Sequence, residues 1–132
     1  MSDAIAALVG RVLIGAIFVN SGFGKLTGFG GLVGQLAAKG LPLPWVAGAL
    51  AVLFELGGGL ALVLGFRTRH AAMALILFTM VATLIYHDFW HFTGPDRQRQ
   101  FVNFMKNVAI VGGLVLLASR GGGRYGLDRG RT

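Results

Sequence analysis

PWVAGALAVLFELGGGLALVLGF, residues Pro44–Phe66, carries a single charged side chain, Glu55, at its centre. An α-helix needs about 20 apolar residues to cross the hydrocarbon of a bilayer. As a water-soluble element this stretch would have to be buried on every side, and a chain of 132 residues has too little interior for that. Three more stretches share its character: Ile5–Phe23, Ala71–Trp90 and Phe101–Ala118. Together they predict an all-α fold, an integral-membrane four-helix bundle. It forms one transmembrane domain over residues 1–132, with a frayed basic tail at 119–132.

Composition agrees. Hydrophobic residues make up 55% and charged residues 13%, half the share of about 25% in soluble domains. Mean hydropathy is +0.70. The absence of cysteine excludes disulfides, thiolate nucleophiles, iron–sulfur clusters and Cys-type zinc sites. A net charge of +7 would suggest nucleic acid in a soluble protein. Here the lysines and arginines cluster in links and tail, as membrane proteins place them, so the expected partner is the lipid bilayer and no nucleic acid. The first span reads as retained, because Asp3 replaces a basic leader, Arg11 interrupts the apolar run and no small-residue cleavage site follows.

The links carry their own signals. Arg67-Thr68-Arg69-His70 is a tight connection that makes spans two and three antiparallel neighbours. Phe29, Leu32, Val33 and Leu36 recur at helical spacing and predict a short interfacial helix ended by Gly40. Pro44 suits the first turn of span two, and Trp45 suits headgroup depth. Thr93-Gly94-Pro95-Asp96 reads as a helix start. Four spans put both termini on one side with Arg67, Arg69, Arg120, Arg124, Arg129 and Arg131, against Lys25, Lys39, Arg97 and Arg99 opposite. That bias predicts both termini in the cytoplasm.

Ionisable groups inside a span cost at least about 2.5–3.5 kcal/mol on insertion scales and turn inward to a partner. This chain has Arg11, Glu55, His87, Asp88 and Lys106. Arg11 lies twelve residues from Phe23 and Glu55 eleven from Pro44, so both fall about 17 Å below one boundary. They are the expected buried ion pair, with Lys106 reaching down to join them. Other polar residues recur at helical spacing: Gly15, Phe18, Gly22 and Lys25 follow Arg11, Thr79, Thr83, His87 and His91 are four apart, and Asn103, Lys106 and Asn107 share a face. Packed inward, these stripes predict a polar pocket in the outer half of the bundle.

Plainer readings stand beside these. A buried ion pair can serve only to fix helix register, and Asn103, Asn107, Thr79 and Thr83 suit interhelical hydrogen bonds. Lys25, Arg97 and Arg99 suit interfacial anchoring, and Tyr86, Phe89, Trp90, Phe92 and Phe101 an aromatic belt. His87 and His91, at i and i+4, have metal-ligand spacing. A catalytic zinc needs a third ligand, and His70 lies across the membrane, so no metal is expected.

Taken in order, Gly10-Arg11-Val12-Leu13-Ile14-Gly15, Ser21-Gly22-Phe23-Gly24-Lys25-Leu26, Lys39-Gly40-Leu41-Pro42, Glu55-Leu56-Gly57-Gly58-Gly59-Leu60-Ala61-Leu62, His87-Asp88-Phe89-Trp90 and Lys106-Asn107 resemble the DoxX family of small bacterial membrane proteins. The resemblance implies a four-span inner-membrane protein, in a family named after a subunit linked to quinol oxidase and thiosulfate:quinone oxidoreduction. Positions matching the family are Arg11, Lys25, Glu55, His87, Asp88, Lys106 and Asn107, which become the candidate ligand-binding residues. The expectation is a subunit or accessory of a quinone-linked redox system. It has no intrinsic cofactor, a quinone or quinol as ligand, and either further copies of itself or redox subunits as partners. The alternatives are a small proton, anion or small-molecule transporter and a non-catalytic scaffold.

Overall fold

A computed structural model describes residues 1–128, and every regular element within them is helical. Helix α1 spans Asp3–Thr27 and starts at Ser2, whose hydroxyl accepts the Ile5 N–H at 3.4 Å. The short α2, Phe29–Ala38, follows directly and is the interfacial helix anticipated from its apolar spacing. Span two is composite: α3 (Pro44–Val52), a π-helical turn (Leu53–Gly57) and α4 (Gly58–Leu64). Helix α5 runs Thr68–Tyr86, a 3₁₀ turn covers Phe89–His91, and α6 runs Gly94–Arg120.

Four stretches are long and apolar enough to cross a membrane: Asp3–Thr27, Pro44–Leu64, Thr68–His91 and Gly94–Arg120. Three of the four outrun the apolar segments that announced them, and span two stops at Leu64, two residues short of Phe66. Helix α6 starts seven residues before Phe101, at the Thr93–Asp96 signal, because backbone hydrogen bonding continues where hydropathy fades. The N-terminus, residues 121–128 and the link at 65–67 share one end of the bundle, the terminal face. Helix α2 and the loop at 87–93 mark the opposite, far face.

Backbone contact between α1 and span two positions everything else. A Cβ built on Gly15 would lie 2.8 Å from the Gly59 carbonyl oxygen, and one on Gly22 would lie 2.7 Å from the Leu56 nitrogen. Only glycine allows two helices that close, and small residues serve this purpose where lipid removes the hydrophobic drive for helix association. Phe18, Leu62, Leu75, Leu114 and Leu117 fill the centre, while Leu13, Leu53, Leu77 and Leu116 turn outward, where the lipid would lie.

The tail departs from expectation. Residues 121–128 are not frayed: Gly121, Gly122 and Gly126 are buried, and the N–H groups of Leu127 and Asp128 donate to Leu64 and Gly65. The Asp128 carboxylate accepts the N–H groups of Arg67 (2.6 Å) and Thr68 (2.7 Å), satisfying orphan donors that open α5. Arg129 and Arg131, counted in the basic balance, lie outside the described residues.

Candidate functional site

Arg11 and Glu55 do not pair. Arg11, 1% exposed, gives its Nη1 to the carbonyls of Leu62 (3.1 Å) and Val63 (2.5 Å) and its Nη2 to that of Tyr125 (2.7 Å). It is a cation at the negative end of α4, where carbonyls lack intrahelical partners, and it pins the tail there. The depth comparison fails because Phe23 and Pro44 are not level. The glycine contacts set the register, with Gly22 against Leu56, so Glu55 lies beside Ser21, well above Arg11.

Glu55 has another partner. Its carboxylate lies 2.8 Å from Lys25 Nζ, and the Ser21 hydroxyl contacts both of its oxygens at 3.1 Å. Lys25 Nζ also donates to Ser21 Oγ at 2.7 Å, which closes a triangle of three side chains. Lys25, expected as an interfacial anchor, instead reaches inward along α1. Glu55 sits within the π-helical turn, and such turns recur at functional positions.

This triangle forms one wall of a cavity of about 270 Å³. Tyr86, His87 and Asn107 stand on α5, its C-terminal edge and α6, with Thr79 one turn and more below them. Ile17, Phe18, Phe78, Ala82 and Ile110 complete the lining. Asn107 donates to Thr83 Oγ1 at 2.9 Å, and Thr83 donates to the Thr79 carbonyl at 2.6 Å, so these residues also bind α5 to α6. His87 Nδ1 lies 2.8 Å from Gln100 Oε1. An amide oxygen only accepts, so Nδ1 is the donor in this contact. The buried Thr79 and Tyr86 hydroxyls have no hydrogen-bond partner among the described residues, an uncommon and costly state for buried polar atoms.

Of the seven candidates, Lys25, Glu55, His87 and Asn107 meet at this cavity and Arg11, Asp88 and Lys106 do not line it. Asp88 pairs with His91 at 2.8 Å beyond the end of α5. Lys106 is exposed on α6. Because α5 ends at Tyr86, His87 and His91 do not share a helical face, and the spacing of the Thr79–His91 stripe loses its meaning at its last two members. Among the described residues no three His, Cys, Asp or Glu side chains cluster. Three polar cavity residues lie outside the seven candidates: Ser21, which sits beside the Arg11 stripe, Thr79, assigned to interhelical bonding, and Tyr86, assigned to the aromatic belt. Of the residues expected as a belt, Phe89, Trp90 and Phe101 gather with Phe104 in one cluster, with Phe89 edge-on to the other three and Arg97 over its ring.

The chain matches the DoxX family over residues 6–88 and the SURF4 family over residues 49–131. It is 38% identical to inner membrane protein YphA of Escherichia coli, over 95% of this chain and 89% of that protein. It is 37% identical to inner membrane protein YqjF of the same organism, over 96% and 92%. Surfeit locus protein 4 homolog of Schizosaccharomyces pombe is 28% identical over 92% of this chain, which spans 36% of that longer protein. No solved structure matches.

Proposed function

Since this chain belongs to the DoxX family and is an integral inner-membrane protein, we propose that it is the membrane subunit of a quinone-linked redox system and that its cavity holds a quinol-type head group. The observation that carries this reading is the cavity itself. It is a partly apolar space with an acid–base triangle on one wall and, on the other, a histidine and two buried hydroxyls that lack partners. About 270 Å³ falls below the roughly 300–1,000 Å³ of pockets that enclose a drug-sized ligand. It suits a single substituted ring whose hydrocarbon tail stays outside.

A bound quinol supplies a two-electron, two-proton couple, with the electrons passing to a partner subunit. This chain's own residues do the rest. The Thr79 and Tyr86 hydroxyls donate to ring oxygens and give their hydrogens the partner they otherwise lack. Glu55 and His87 Nε2 accept protons from ring hydroxyls, and Lys25 and Ser21 hold the Glu55 carboxylate in place. Ile17, Phe18, Phe78 and Ile110 exclude water from the ring faces. Both termini face the cytoplasm in this reading, so the cavity opens toward the outer half of the membrane. The basic bias of the terminal face supports that orientation.

Binding of a quinone analogue to the purified protein in nanodiscs tests the proposal. Glu55→Gln and His87→Ala are each expected to weaken affinity about tenfold, or roughly 1.4 kcal/mol. Asp88→Asn, away from the lining, is expected to stay within twofold. Unchanged affinity in both cavity variants overturns the reading. Proton flux into proteoliposomes that Glu55→Gln abolishes would replace it with transport.

A further inference from the structure

Three of the four seams around the cavity are closed by contacts. Between α1 and span two, glycine brings backbones together at Gly15, Gly22 and Gly59. Between span two and α5, Phe54 stacks on Phe78 with centroids 6.1 Å apart, and Gly58 lies against Leu75. Between α5 and α6, Asn107 bonds Thr83, and Leu75 and Leu114 are fully buried. On the far face Lys39, the residue after α2, donates to the Ile85 carbonyl at 3.2 Å and lies 4.9 Å above the Tyr86 ring.

The seam between α1 and α6 differs. The two helices touch where a Cβ on Gly113 would meet Ile14 Cδ1 at 2.7 Å. Directly above, toward the far face, the cavity is walled by Ile17 and Ser21 of α1 and by Asn107 and Ile110 of α6. Ile17 lines the cavity and is also 51% exposed, so one side chain borders both the cavity and the lipid-facing surface. Lys106 lies seven residues before Gly113, and Ser21 seven after Ile14. Two helical turns return to nearly the same face, which brings Lys106 to the edge of this seam at the level of Ser21. Lys106 is exposed, with no hydrogen bond or ion pair among the described residues. An ammonium within a membrane span without a partner is otherwise rare.

We propose that the cavity is loaded sideways from the bilayer, through the cleft between α1 and α6. Ile17 is its gate, and Lys106 is a binding residue at its edge for the acceptor oxygen of an incoming amphiphile's head group. The identity of that amphiphile rests on the quinol reading given above; the route does not. Molecules in the lipid reach the cavity past Ile17, while molecules in water meet Lys39 and the end of α5.

The chain has no cysteine, so Ala82→Cys places a single thiol on the α5 wall. In proteoliposomes an N-alkyl maleimide dissolved in the bilayer is expected to label it at least tenfold faster than a membrane-impermeant sulfonated maleimide. Adding Ile17→Trp should slow the lipid-borne reaction tenfold or more, and Ile17→Ala should speed it. Val115→Trp, on the opposite side of α6, should leave it unchanged. A carboxylated alkyl maleimide should label several-fold faster than its neutral analogue, a preference lost in Lys106→Met and kept in Lys106→Arg. Equal labelling by the impermeant reagent, or rates indifferent to both Ile17 variants, overturns the lateral route. A carboxylate preference that survives Lys106→Met overturns the role of Lys106. None of these rates depends on quinone binding, so the route and the ligand reading fail separately.

Discussion

The bundle buries two opposite charges, Arg11 and Glu55, and treats them differently. At the terminal face Arg11 meets three backbone carbonyls, and the tail closes over it. Toward the far face Glu55 meets two side chains, Lys25 and Ser21, and beyond them lies the cavity. Buried polar atoms without partners among the described residues occur at both ends, Arg11 Nε and Thr68 Oγ1 at one and the Thr79 and Tyr86 hydroxyls at the other. Backbone carbonyls are part of the scaffold and cannot be exchanged for a ligand. Side chains around a cavity can rearrange, change protonation and accept a guest. A charge inside a membrane span is therefore not by itself a sign of chemistry; the identity of its partners separates the structural case from the functional one.

The sharpest way to break this contrast is Arg11→Leu. It strips a charged donor from three carbonyls, at about 1.5–3 kcal/mol for each such bond, and should lower unfolding stability in detergent by at least ~3 kcal/mol. A variant as stable as the parent would make the two charges equivalent. At the other end, Ser21→Ala leaves the Lys25–Glu55 contact intact and removes the bonds of one hydroxyl to charged groups, so it should cost about 1.5–3 kcal/mol, less than Arg11→Leu. A loss comparable to that of Arg11→Leu would show that the Glu55 end is scaffold as well. Asp128→Ala removes the cap on α5 from the Arg11 end and should cost about 1 kcal/mol, read in the same unfolding assay.

The sequence disclosed the four spans, the interfacial helix and the helix start at Thr93–Asp96, because hydropathy and cap chemistry are local. It disclosed four of the seven cavity candidates for a similar reason: Lys25, Glu55, His87 and Asn107 are polar residues in apolar surroundings. It misled on the Arg11–Glu55 pair, since apolar run ends do not report depth. Register comes from where Gly15, Gly22 and Gly59 let backbones touch, which requires knowing both helices at once. The His87–His91 spacing misled because α5 stops at Tyr86 without a glycine or proline to announce it. The docked tail was hidden for another reason. Gly121–Gly126 has no periodicity, and Asp128 caps a helix whose first residue is sixty positions earlier.

The link between Arg11 and Tyr125, 114 positions apart, has a consequence for biosynthesis. Arg11 enters the translocation machinery with the first span, while its last carbonyl acceptor leaves the ribosome only after all four spans have been made. Until then an arginine with an open hydrogen-bonding position waits in the membrane. A nascent chain that stops before Tyr125 keeps that position open.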